Sequence, residues 1–198
     1  MPKLIDHEER REHIAEAAWR VIVRDGVAAA SVRTVAAEAG MSPGALRHIF
    51  ASQSELLVFA LQLVSNRAVQ RMMALPTYPT PAEMVEALAS QLLPLDRERR
   101  AEMEVYLALF TAANSDPRLH GPRDATHQAM RDGCRDMIDR LDNGTDLDPK
   151  ADRELEAARL HAVIDGLAAH LVYEPADADT EWARRVLVRH LESLRAPR

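Results

Sequence analysis

Three side chains of this 198-residue chain stand at a spacing that suits base reading: Gly44, Arg47 and His48, at i, i+3 and i+4. On a helix those positions share one face. Arg47 carries a fork of donors that matches O6 and N7 of guanine, and His48 reaches a base or a phosphate. Gly44, with Ala45 beside it, lets the helix start approach a groove wall closely. Upstream, Arg33 and Thr34 lie on the open side of a preceding helical run, Arg33 suited to a groove edge and Thr34 to a phosphate. Backbone N–H groups at helix starts also hold phosphates, here assisted by Ser31, Ser52 and Gln53. The expected reading set is therefore Ser31, Arg33, Thr34, Ser42, Pro43, Gly44, Ala45, Arg47, His48, Ser52 and Gln53.

Short helices must hold this set. Val32, Val35, Ala36 and Ala39 fall at offsets 0, 3, 4 and 7, which predicts a helix over 32–39 with Ser31 as its N-cap. Gly40 supplies the left-handed residue of a tight helix-helix turn. Ser42 caps the next helix with Pro43 at its first position, and Leu46, Ile49 and Phe50 point inward. Ser52-Gln53-Ser54-Glu55 reads as a capping box that opens a helix over 53–74. Ahead of these, a helix over 7–24 is capped by Asp6, carries Ile14, Ala18, Val21 and Ile22 inward, and ends at Gly26. Pro76, Pro79 and Pro81 mark a boundary, beyond which helices are predicted over 82–93, 96–114, 122–141, 150–173 and 180–195. No strand-like alternation persists, so the fold class is all-α. The organisation predicted is a helix-turn-helix domain over 1–52, a connecting helix over 53–74, and a helical bundle over 75–198.

Charge separates the same two parts. Residues 1–71 hold 9 Lys+Arg and 8 Asp+Glu, a net +1, while the remainder holds 16 and 23, a net −7. Acid concentrated away from the reader suits local rather than indiscriminate contact with nucleic acid. Cys134 is the sole cysteine, so no intramolecular disulfide forms. No signal-peptide core and no run near 18 apolar residues is present, which points to a cytoplasmic protein without a membrane partner. The nucleophile, phosphate-loop, zinc-protease and dinucleotide motifs of common enzymes are missing, and no enzyme is expected. The competing reading is a helical ligand-binding or adaptor protein that never touches DNA.

Residues 8–57 resemble the N-terminal domain of TetR-family transcriptional regulators. The likeness is carried by Asp25-Gly26-Val27, by Ser31-Val32-Arg33-Thr34-Val35-Ala36, by Ala39-Gly40-Met41-Ser42 with Gly44-Ala45-Leu46, by His48-Ile49-Phe50, and by the segment from Ser52 to Leu57. Glu156-Ala157-Ala158-Arg159-Leu160-His161 and Ile164-Asp165-Gly166-Leu167 resemble the BetI-like subgroup. Arg47 stands where the family usually has tyrosine and Gln53 where it often has lysine, so operator preference need not follow that of relatives. The resemblance implies a homodimer on a palindromic double-stranded operator, released by a small molecule and acting as a repressor.

The C-terminal half is then expected to sense and to pair. Met103, Tyr106, Phe110, Met130, Cys134 and Met137 supply an adaptable apolar cavity, with Asn114, His161 and Asp165 as polar anchors. Leu160, Ile164, Leu167 and Leu171 on one late helix, with Trp182, Val186, Leu187 and Leu191 on the other, are the expected dimer surface. His161 and Asp165 at i, i+4 lack a clear third ligand, so neither a metal nor another cofactor is assigned.

Overall fold

Each apolar stripe becomes a helix. The computed structural model describes residues 2–144 and 147–195, with side chains from His7 onward. Its elements are α1 (Pro2–Asp25), α2 (Val32–Glu38), α3 (Pro43–Arg47), α4 (Gln53–Met73), α5 (Pro81–Ser90), α6 (Arg97–Ala112), α7 (His120–Asn143), α8 (Arg153–Tyr173) and α9 (Glu181–Glu192). Two 3-10 turns, Val27–Ala29 and Pro117–Leu119, were not foreseen. Among the described residues the only non-helical pairing is one antiparallel bridge, Leu147 with Arg195, and the architecture is all-α. No helix among them is long and apolar enough to cross a membrane.

Helix ends follow their caps. α1 runs through Asp6 to Pro2, so Asp6 does not cap it; that side chain lies outside the described residues. α5 starts at Pro81 because Thr80 and Glu83 form a reciprocal capping box, with Glu83 N–H donating to Thr80 Oγ1 at 3.2 Å and Thr80 N–H to Glu83 Oε2 at 3.0 Å. α8 opens three residues later than periodicity suggests, where Asp152 accepts from the N–H groups of Glu154 and Leu155. At the other end of α8, Arg100 donates to the carbonyls of Leu171, Val172 and Glu174 at 2.7–2.8 Å, satisfying acceptors that a helix end leaves open.

Two compact units divide the chain, residues 1–67 with 101–124 and residues 68–100 with 125–198. α4, α6 and α7 each continue from one unit into the other. The first unit is built on Ile14, Val35, Leu46, Phe50, Leu56 and Leu61, joined by Val105 and Leu109 of α6, all fully or almost fully buried. Trp19 anchors α1 within it: Nε1 donates to the Ala60 carbonyl at 3.1 Å, and the Arg67 guanidinium lies 4.9 Å from the ring centroid while pairing with Glu16. The second unit has its own core, in which Val85, Ile138, Leu160, Ile164 and Leu187 are inaccessible to solvent.

Candidate nucleic-acid interface

Local hydrogen bonds set the two short helices. Ser31 Oγ accepts from the Thr34 N–H at 3.2 Å, and the Ser31 N–H donates to Thr34 Oγ1 at 2.9 Å. Threonine thus takes the place of the usual acid in a capping box. Its hydroxyl also donates to the Ala29 carbonyl. The Thr34 hydroxyl is thereby engaged within the fold, with the Ser31 carbonyl also in reach at 3.0 Å. Glu38 accepts from Arg20 at 2.8 Å and Arg24 at 3.0 Å, tying α2 to α1, and those hydrogen bonds hold its carboxyl below the ordinary range.

The turn is made by Gly40 at φ +67°, with the Met41 N–H returning to the Ala36 carbonyl at 2.9 Å. Ser42 then accepts from the Ala45 N–H at 3.1 Å, and Pro43 occupies the first helical position. Five residues of helix are enough to sort the side chains. Leu46 and, just past the helix end, Phe50 are wholly buried; Pro43, Gly44, Ala45, Arg47 and His48 are exposed. A Cβ placed on Gly44 would meet only Ser42 Oγ, at 3.9 Å, and its φ is ordinary. Nothing within the fold therefore demands glycine there.

Behind the exposed edge stands a support that periodicity did not flag. The Phe50 and Phe59 rings lie 5.4 Å apart, and the Arg11 guanidinium sits 5.0 and 4.4 Å from their centroids. Arg11 on α1 thereby fastens the end of the reading segment to α4 through cation–π contacts. At the start of α4, Ser52 accepts from the Glu55 N–H at 3.1 Å, while the Glu55 carboxylate takes the Ala51 N–H at 2.8 Å, one residue earlier than a standard box. Ser52 is exposed and Gln53 half-buried, while Arg33 on α2 is exposed.

The sensing candidates divide between the units. Met103, Tyr106, Phe110 and Asn114 belong to the first, where Tyr106 and Phe110 stack with centroids 4.4 Å apart and pack on its core. Asn114 is exposed and accepts from Arg123 at 3.4 Å. Met130, Cys134, Met137, His161 and Asp165 belong to the second. Cys134 is fully buried, and that burial, helped by the Asp165 charge, pushes its thiol up to about 12. Of the expected pairing residues, Leu160, Ile164, Leu167, Leu171, Leu187 and Leu191 are spent in the interior of their own unit; Trp182 is half-buried and Val186 is 46% exposed. One wide apolar stripe on α8 was read as two-sided, yet α9 and the rest of the unit suffice to cover it. The open face of α8 instead carries Leu155, Ala158, Ala162, Gly166 and Tyr173.

Comparison with known proteins agrees with this geometry. Residues 14–58 match the family described as bacterial regulatory proteins, tetR family, and residues 81–196 match the C-terminal region of BetI-type transcriptional repressors. The chain is 40% identical to the HTH-type transcriptional regulator PksA of Bacillus subtilis, over 98% of its own length and 94% of that protein's. It is 26% identical to the regulator BetI of Stenotrophomonas maltophilia, over 97% and 96% of the two lengths. Among solved structures, a transcriptional regulator from Rhodococcus sp. Rha1 superposes with a TM-score of 0.79 at 32% identity, covering 93% of this chain and 95% of that one. A regulator from Saccharomonospora viridis, solved in complex with choline, shares the fold with a TM-score of 0.79 at 23% identity, covering 96% of this chain and all of the other.

Proposed function

Because the chain belongs to the TetR family of transcriptional regulators, with a C-terminal region of the BetI type, we propose that it binds a palindromic double-stranded operator as a homodimer and blocks transcription until a small molecule releases it. The observation that carries the DNA half is the exposed Gly44–Arg47–His48 edge, backed by buried Leu46 and Phe50. Arg47 takes a guanine, His48 and Arg33 take neighbouring groove-edge or phosphate positions, and the helix starts after Ser31 and Ser52 hold phosphates. Residues 1–52 form the reader, α4 leads from it, and the helices beyond residue 75 sense and pair.

A single short reading helix makes few contacts, and a two-fold partner supplies the second half-site about one helical turn away. The partner surface is assigned to the exposed part of α8 outside its contacts with α7, where Gly166 permits close helix approach and Tyr173 lies open, together with Trp182 and Val186 of α9. The effector is assigned to the second unit. It releases DNA only to the extent that it binds the released conformation more tightly. Relatives are named as regulators rather than as enzymes, which fits a chain whose chemistry is recognition.

Selection of duplexes from a random library by the purified protein tests the reading. The expected product is an inverted repeat with guanine in each half-site, bound with a steep inverse dependence on salt. Recovery of unrelated sequences, or binding by one half-site alone at full affinity, would refute it.

A further inference from the structure

α7 and α8 flank a half-open groove of about 280 Å3 within the second unit. Its two walls differ in charge. α7 contributes His127, Arg131 and Arg135, at i, i+4 and i+8, while the acidic groups come from α8 as Glu154 and Asp165. His161 of α8 forms the inner wall between them, its ring 5.2 Å from that of His127.

Two of these groups are not explained by the fold. Arg135 is, because it closes one end of the groove by donating to Glu154 at 2.8 and 2.7 Å. Arg131 is exposed and has no hydrogen bond or ion pair among the described residues. The His161 side chain is only 9% exposed, and its Nε2 is buried with no hydrogen-bond partner. Asp165 Oδ2 lies 3.2 Å away but not in a direction that makes the bond. Buried polar atoms in native folds are almost always satisfied, so an unmet imidazole nitrogen facing a groove asks for an occupant. Burial also lowers the His161 pKa, favouring the neutral imidazole, and raises that of Asp165.

We propose that this groove binds a small primary-ammonium carboxylate, an α-amino acid or a close analogue. Its carboxylate lies against Arg131 and His127, and its ammonium group bridges Asp165 and His161 Nε2. The volume is near the lower end of ligand pockets, about 300–1,000 Å3, and suits a molecule of that size. Other occupants fit less well. A quaternary ammonium is held by faces of Trp, Tyr or Phe, and none of these lines the groove. A simple anion would face Asp165. No three His, Cys, Asp or Glu side chains among the described residues converge on a metal position.

The test is calorimetry and thermal shift of the full chain with each common L-α-amino acid in turn, alongside inorganic phosphate, choline and zinc chloride. At least one amino acid binds, and Arg131→Ala and Asp165→Asn each weaken it by about tenfold or more while leaving the circular dichroism spectrum and ligand-free DNA affinity unchanged. Methyl-ester and N-acetyl analogues, each lacking one charge, lose the same affinity. No amino-acid binding, or binding indifferent to both variants, overturns the proposal. So does phosphate binding that needs Arg131 but not Asp165, choline binding that needs Asp165, or zinc binding lost in His161→Gln. Because DNA affinity is read separately, failure here leaves the operator reading standing.

Discussion

The α2–α3 segment and the α7–α8 pair solve opposite problems with the same residue types. In α2–α3 every cap is met within five residues by a serine, a threonine or a backbone carbonyl, and the unmet side chains, Arg47 and His48, point to solvent. In α7–α8 the exposed cations and carboxylates largely pair across helices, whereas the unmet polar atom, His161 Nε2, is buried. A reader of a large rigid duplex needs its contacts presented outward on a stiff support. A site for a small molecule needs them turned inward. Where polar atoms are left unsatisfied therefore separates the proposed duplex reader from the proposed small-molecule site better than residue type does.

The support under the reader can be broken first. Phe50→Ala removes a fully buried ring that packs on Phe59 and Arg11. It should cost about 3–5 kcal/mol in urea unfolding and abolish operator binding with it. Arg47→Ala makes the complementary cut: operator affinity falls by about 1–3 kcal/mol and guanine preference relaxes, while the unfolding midpoint stays in place. If Arg47→Ala lowers stability as much as affinity, the outward edge is part of the core and the contrast fails.

Backbone geometry sharpens the comparison at smaller cost. Gly40 has open space for a Cβ but a φ of +67°, so Gly40→Ala should lose about 1–2 kcal/mol from strain alone. Gly44→Ala, with ordinary φ and only a van der Waals contact to Ser42 Oγ, should hold or slightly raise stability and weaken DNA binding. Ser31→Ala removes the α2 cap and should cost about 1 kcal/mol.

How much of this was legible follows the range of the interactions. The caps of α2 and α3, Gly40, and inward Leu46 and Phe50 are written in residues three or four apart; helix ends come within three residues, except the start of α1, which lies five residues before the expected one. The local role of Thr34 was missed because its second partner, the Ala29 carbonyl, belongs to a 3-10 turn that no pattern announces. Arg11 was missed because its contacts lie some forty residues downstream. The α8 leucines were read as a surface because a stripe tells that something covers it, not whether the cover is the same chain. His127, Arg131 and Arg135 share one face of α7 at i, i+4 and i+8, a spacing that could have been noticed; their meeting with His161 and Asp165 is tertiary.

The buried histidines yield the most gradual prediction, and it belongs to the second unit. His190 on α9 is 7% exposed, its Nε2 has no hydrogen-bond partner, and its pKa is lowered by burial and then by Arg159, with Glu156 opposing. The unfolded chain takes up a proton near the ordinary histidine value of about 6.5, while the folded chain resists it to lower pH. The unfolded state then binds more protons, so stability is fully present above that value and drains away as pH falls toward the folded pKa. Urea midpoints of the wild type should decline from pH 8 to pH 5.5, with the steepest loss below about 6.5. His161 is depressed in the same direction, so His190→Asn should flatten this decline in part and leave the operator affinity of the folded protein at pH 8 untouched. An undiminished slope in that variant would mean that His190 is protonated without penalty and is not held as a neutral core group.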